Sequence, residues 1–163
     1  RPMPTLLAPI AAVLLTLGGG GGGGDATVVS VGDGDSLRLR RGDALITVRL
    51  ACIDAPELRQ RPHGQASRRV LGELAPVGST VQLRRFSTDR YGRLVAELSH
   101  RGVNVNQRLV ERGAAFVYCA YIRGCDRQTY ARLETEARLR RLGVWDLPGG
   151  LERPWELRAR SRR

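Results

Sequence analysis

Four short segments carry residue types that could act together on a phosphodiester: Asp33-Gly34-Asp35-Ser36, Val48-Arg49-Leu50, Ile53-Asp54-Ala55-Pro56-Glu57 and Asp89-Arg90-Tyr91-Gly92-Arg93. Asp35 falls at a turn and Asp54 at a strand end, and paired carboxylates of that kind suit a hard divalent cation. Calcium takes oxygen ligands and tolerates backbone carbonyls and water in its shell. Arginine grips a phosphate through two parallel hydrogen bonds and keeps its charge at any physiological pH. A further carboxylate, Glu57, could hold or deprotonate a water. Metal, arginines and carboxylate together are enough to attack a phosphodiester. Each segment alone is a weak signal, because Asp-Gly-Asp is usually a turn and Asp-x-Pro-Glu often just starts a helix.

The elements that must position these residues are short. Val28, Val29 and Val31 form a β-rich run that ends at the turn signal Gly32-Asp33-Gly34-Asp35. Leu37 and Leu39 alternate with Ser36, Arg38 and Arg40, as in a half-buried strand. After Arg41-Gly42-Asp43, alternation resumes at Ile46, Val48 and Leu50 and runs into Ile53. These are expected to be three antiparallel strands. A helix should follow with Ala66, Val70, Leu71 and Leu74 on one face, stopped by Pro76. Val81 to Phe86 and Leu94 to Leu98 read as a hairpin turning at Asp89-Arg90-Tyr91-Gly92. Val105, Leu109 and Val110 suggest a second helix closed by Gly113. A third is expected to be capped by Asp126, to bury Tyr130, Leu133 and Ala137, and to end at Gly143. The pairs Glu134/Arg138 and Glu136/Arg140 should lie on its exposed face. The expected fold is therefore α+β: a five-stranded OB-type β-barrel with three packed helices.

Composition narrows the partner. The chain has 163 residues and a formal net charge of +11, and all its basic residues are arginine. The missing lysine fits a GC-rich coding bias, but the excess of base over acid favours a polyanion, whose bound counterions are released on binding. There are three cysteines, too few for a disulfide-built scaffold. Cys52 reads as a small core residue, whereas Cys119 and Cys125 flank a short loop and could bridge in an exported protein. His63 and His100 stand alone and read as solvated loop residues. Residues 1–25 read as a leader: a mostly apolar stretch from Leu6 to Leu17, interrupted by Pro9, then a tract from Gly18 to Gly24. Such a stretch is short for a bilayer span but suits a signal peptide. Secretion or periplasmic export is expected, with an uncleaved membrane anchor as the alternative. The domain itself should occupy 26–158, leaving 159–163 as a frayed basic tail.

In order and spacing the chain resembles the staphylococcal nuclease (thermonuclease) family from about Ala26 to Arg158. The four segments match, as do Gln60, Gly64-Gln65-Ala66, Asn104-Val105-Asn106, Gly113-Ala114, Gly143-Val144-Trp145 and the closing Arg153-Pro154-Trp155-Glu156-Leu157-Arg158. The resemblance implies that Asp35 and Asp54 bind calcium by side chain and Ala55 by its carbonyl. It implies Glu57 as general base, Arg49 and Arg93 as the catalytic arginines, and Arg90 and Tyr91 as contacts to a substrate phosphate. Ala stands at position 55 where relatives often have Thr, which a carbonyl ligand does not notice. The OB-type barrel follows from the resemblance as well.

These readings converge on a calcium-dependent nuclease that hydrolyses DNA or RNA with little sequence preference, cutting the bond to the 5′ oxygen. Nucleic acid is the expected partner, with no obligate protein partner and a monomeric chain. Two rivals remain: a non-catalytic OB-fold nucleic-acid-binding module, and a surface-anchored cationic adhesion module. Neither explains why Asp35, Arg49, Asp54, Glu57 and Arg93 occur together.

Overall fold

A computed structural model describes residues 24–118, 120 and 123–163. Strands β1 (Asp25–Val31), β2 (Ser36–Arg41) and β3 (Ala44–Leu50) form an antiparallel meander, and β5 (Thr80–Thr88) and β6 (Leu94–His100) form a hairpin. β5 adds to the free side of β1. The sheet then closes on itself through a parallel pairing of β3 with β6, in which Val48 faces Leu94, Arg49 faces Val95 and Leu50 faces Ala96. Closure makes the five strands a barrel and removes their open edges. Leu37 and Leu39, Val48 and Leu50, which the alternation picked out, are buried, as are Val81 and Leu83 of β5.

Three two-residue strands add to this frame: β4 (Ile53–Asp54), which pairs with β8 (Phe116–Val117), and β7 (Val103–Asn104), which pairs antiparallel with the end of β6. β3 does not run on into Ile53 as the sequence suggested. The chain turns at Ala51-Cys52, and Cys52 takes a φ of 73° there. That costly left-handed conformation redirects the backbone so that Asp54 faces the same side as Arg49.

Helices α1 (His63–Leu74), α2 (Val105–Glu111) and α3 (Arg127–Leu139) lie where periodicity placed them. Asp126 caps α3 by accepting the Thr129 N–H, and Tyr130, Leu133 and Ala137 are its buried face. α3 stops before Gly143, which instead begins a single 3₁₀ turn, Gly143–Trp145. Glu134 is not on the open face: its carboxylate accepts the Val117 N–H at 2.6 Å, so it ties α3 to β8. On the exposed side the i,i+4 pair is Arg132 with Glu136, at 2.8 Å.

Three further expectations need correction. There are four helices among the described residues, not three, because Pro154–Arg160 forms α4. Proline at the first turn starts it, since its missing N–H costs nothing there. α4 therefore takes in Ala159 and Arg160, the first two residues of the expected basic tail. His63 opens α1 rather than sitting in a solvated loop, and its Nε2 pairs with Asp146 at 2.9 Å. His100 ends β6, where its Nδ1 bonds the Thr80 carbonyl at 3.0 Å. The leader and glycine tract through residue 23, with Cys119, lie outside the described residues.

The disulfide is the third correction. Cys125 bridges to Cys52, not to Cys119, with the two Cα atoms 6.3 Å apart. The positive φ of Cys52 aims its side chain into the core, across to the loop that precedes α3. A bridge spanning 73 residues should matter for stability. Cys125→Ser is expected to lower the unfolding free energy by about 4 kcal/mol in the chain-entropy picture. Urea titration of the variant beside the parent measures this, and peptide mapping without reductant should join the Cys52 and Cys125 peptides. An unchanged midpoint, or a map without that link, would remove the bridge.

Candidate active site

The site is built on the mouth of the barrel from three directions. The first is the β1–β2 turn. Asp33 folds it locally: its Oδ1 accepts the Asp35 N–H at 3.1 Å and the Ser36 hydroxyl at 2.7 Å. Gly34 permits the close packing behind, since a Cβ there would lie 2.6 Å from the Ser67 Cβ on α1 and 2.7 Å from the Ala55 Cβ. Asp35 is thereby pressed into the barrel mouth and buried.

The second direction is β3 and the turn into β4. Arg49 is buried, with Nη1 donating to the carbonyls of Leu50 (2.7 Å) and Ile53 (3.0 Å). Its Nη2 bonds Asp54 Oδ1 at 3.0 Å, and Nη1 stands 3.3 Å from Asp35 Oδ2. One guanidinium thus holds the turn and separates two acidic side chains. Asp35 Oδ2 also accepts the Ala55 N–H at 2.6 Å, which fixes the peptide joining Asp54 to Ala55. Burial pushes the Asp35 carboxyl well above the ordinary range despite the pull of Arg49, and Asp33 and Asp54 push it further. Crowded carboxylates of this kind call for positive charge. Their donors are all oxygen, which fits a hard cation such as calcium or magnesium.

The third direction is the β5–β6 hairpin. Asp89 organises its turn, accepting the N–H groups of Tyr91 and Arg93, each at 2.9 Å, and the Arg93 Nε at 2.7 Å. Burial works to raise the Asp89 carboxyl, but these donors together hold it below the ordinary value. Arg93 is therefore presented in a fixed pose. Arg90 bonds the Tyr91 hydroxyl at 2.7 Å and stacks over its ring at 4.8 Å, and Tyr91 itself is largely exposed.

Every residue singled out from the sequence, Asp35, Arg49, Asp54, Ala55, Glu57, Arg90, Tyr91 and Arg93, lines one cleft of about 730 Å³. The structure adds residues that sequence reasoning gave no role. Arg158 of α4 reaches in and bonds Asp54 Oδ2 at 2.6 Å and Glu57 Oε1 at 2.7 Å. Burial works against its charge, yet those two carboxylates hold its guanidinium well above the ordinary arginine range. Tyr118 and Trp155, stacked at 4.9 Å, form one wall. The closing motif was visible in the sequence, but nothing in a run of arginines near the end marked Arg158 as reaching the carboxylates.

A five-stranded closed barrel with helices packed on it is the OB-type α+β fold, and its mouth gathers oxygen donors beside arginines. The comparisons make the class definite. The family model described as "Staphylococcal nuclease homologue" matches residues 47–147. The chain is 38% identical over 144 residues to the micrococcal nuclease of Shigella flexneri, covering 83% of this chain and 80% of that protein. It is 38% identical over 119 residues to an uncharacterized endonuclease of Escherichia coli O157:H7, covering 72% and 74%. It is 36% identical over 159 residues to protein ParB of Escherichia coli, covering 92% and 88%. The chain belongs to the staphylococcal nuclease family.

Proposed function

We propose that this protein is an exported, calcium-dependent nuclease that hydrolyses phosphodiester bonds in DNA or RNA with little sequence preference. The observation that carries the reading is the pairing of Asp35 and Asp54 with one buried arginine, Arg49, at 3.3 and 3.0 Å, in the cleft that also holds Glu57 and Arg93. The family is in general metal-dependent. Relatives named as nucleases and endonucleases support the substrate class.

Asp35 and Asp54, with the carbonyl of Ala55, would hold the ion. Bound calcium would polarise a phosphoryl oxygen and favour ionisation of a nearby water. The chain's own residues do the rest. Glu57 accepts the proton of the attacking water, so that hydroxide character develops only at the phosphorus. Arg49 and Arg93 donate to the equatorial oxygens, whose charge grows in the pentacoordinate transition state, and they are already held in place before substrate arrives. The bond from phosphorus to the 5′ oxygen then breaks, and that oxygen leaves with its nucleoside as a hydroxyl, taking a proton from water. Arg90 and Tyr91 take a neighbouring phosphate, where the exposed ring and guanidinium fit a flexible, sequence-indifferent backbone.

Export is supported by the apolar leader and by the Cys52–Cys125 bridge, which suits an oxidising compartment. One experiment covers both parts. Protein recovered from the medium or periplasm of producing cells should degrade plasmid and single-stranded oligonucleotides with calcium, and stop when a chelator is added. Binding without cleavage at any calcium concentration would leave the non-catalytic module as the better reading. Activity that persists in chelator would sink the metal role.

A further inference from the structure

We propose that Arg158 is a positioning residue for the reaction, and that α4 is therefore part of the active site rather than a cover on the fold. The inference rests on the reading of the cleft as a calcium-dependent nuclease site. Its Nη2 donates to Asp54 Oδ2 at 2.6 Å, and its Nη1 to Glu57 Oε1 at 2.7 Å and more loosely to Asp54 Oδ1 at 3.4 Å. One planar guanidinium thus bridges the carboxylate assigned to the metal and the carboxylate assigned to the water.

The consequence differs for the two acids. Asp54 is buried and is also held by Arg49 on Oδ1, so its pose is fixed twice. Glu57 is half-buried and its backbone N–H is occupied by Gln60 Oε1. Among the described residues, Arg158 is the only side chain that hydrogen-bonds its carboxylate. A glutamate has three rotatable bonds, and without a fixed donor it spreads over several rotamers. A general base works only within hydrogen-bond reach of the proton that it takes, and an error of about 1 Å can cost roughly a hundredfold. Arg158 removes that freedom.

The helix is docked independently of this arginine. Pro154 is buried, and Trp155 stacks on Tyr118 at 4.9 Å and meets Phe116 edge-on at 6.0 Å. Arg59 bonds Ser161 at 3.0 Å, and Gln60 bonds the Glu152 carbonyl at 2.8 Å. Loss of the Arg158 guanidinium should therefore leave α4 in place. It should also remove positive charge beside Asp54, so calcium should bind no more weakly than before.

The test uses the whole chain as parent, Arg158→Gln and Arg158→Lys. Steady-state cleavage of duplex DNA with calcium gives kcat and KM, calorimetry gives the affinity for calcium alone, and tryptophan fluorescence and melting report on α4. For Arg158→Gln, kcat should fall roughly tenfold to a hundredfold, with KM within about threefold, the loss expected of a misplaced catalytic group. Calcium affinity and melting temperature should hold. Arg158→Lys should be nearly as slow, because a single ammonium cannot bridge both acids in their plane. A parent-like kcat in either variant overturns the proposal, as does a loss of activity that tracks with undocking of α4 or loss of calcium. A parent that does not cut with calcium would defeat the functional reading and this inference with it. A parent that cuts beside an equally fast Arg158→Gln would defeat the inference alone.

Discussion

Glu57→Gln should cut DNA about a thousandfold more slowly than the parent while binding calcium and substrate nearly as well, the scale expected when a general base is lost. The reason lies in how little else the change disturbs. Gln has the length of Glu, and its amide oxygen can still accept the Arg158 Nη1 that now bonds Oε1 at 2.7 Å. Asp54 keeps both arginines, and the donor set on Asp35 and Ala55 is untouched. What disappears is the ability to take a proton. Single-turnover cleavage, beside calorimetry with calcium and a non-cleavable nucleotide analogue, separates the two effects. A variant that cuts at the parent's rate would remove Glu57 from the chemistry. A variant that no longer binds calcium would make it a ligand instead.

Arg49→Lys carries the second large effect, a fall in kcat of about a hundred- to a thousandfold, as for other preorganised transition-state donors. Arg49 serves two carbonyls, Leu50 and Ile53, and two carboxylates, Asp35 and Asp54. A lysine keeps the charge but offers three donors from one point, and cannot present a flat pair to a phosphate as well. The turn at Ala51-Cys52 should loosen with it, and Asp54 would drift relative to Asp35. Cleavage rates and calcium titrations should therefore both suffer, unlike in Glu57→Gln. Full activity in the lysine variant would show that point charge is enough and that the fork geometry is irrelevant.

Much of this architecture was readable from the residues. Alternation at Leu37/Leu39 and Ile46/Val48/Leu50 marks strands because burial on one face of a pleat imposes a period of two. Asp126 before an amphipathic run marks a capped helix for an equally local reason. The closure of the barrel is different: the β3–β6 pairing joins segments far apart in the chain, and no local pattern announces a parallel partner. The same holds for Cys52. Its place in an apolar run was plain, but its partner depended on a backbone reversal at Cys52 that only the folded chain displays. α4 escaped because it spans seven residues, begins at a proline and is held by Trp155 and Pro154 rather than by a repeating apolar face. The site residues were legible as a set through their spacing and the family resemblance. Arg158 was not, since an arginine among arginines carries no mark until its carboxylates stand opposite it.

The closing seam of the barrel has a bearing on when activity can exist at all. Arg49 lies on one side of that seam and Arg93 immediately precedes the strand on the other, with Val48 against Leu94 and Arg49 against Val95. Pairings between distant segments carry the largest loop-closure cost and slow folding most. The distance between the two arginines is thus set by a long-range pairing that no local element can make by itself. Catalysis in this protein is a gauge of tertiary completion: a chain with its meander, hairpin and helices formed but its seam open has every functional residue and no active site.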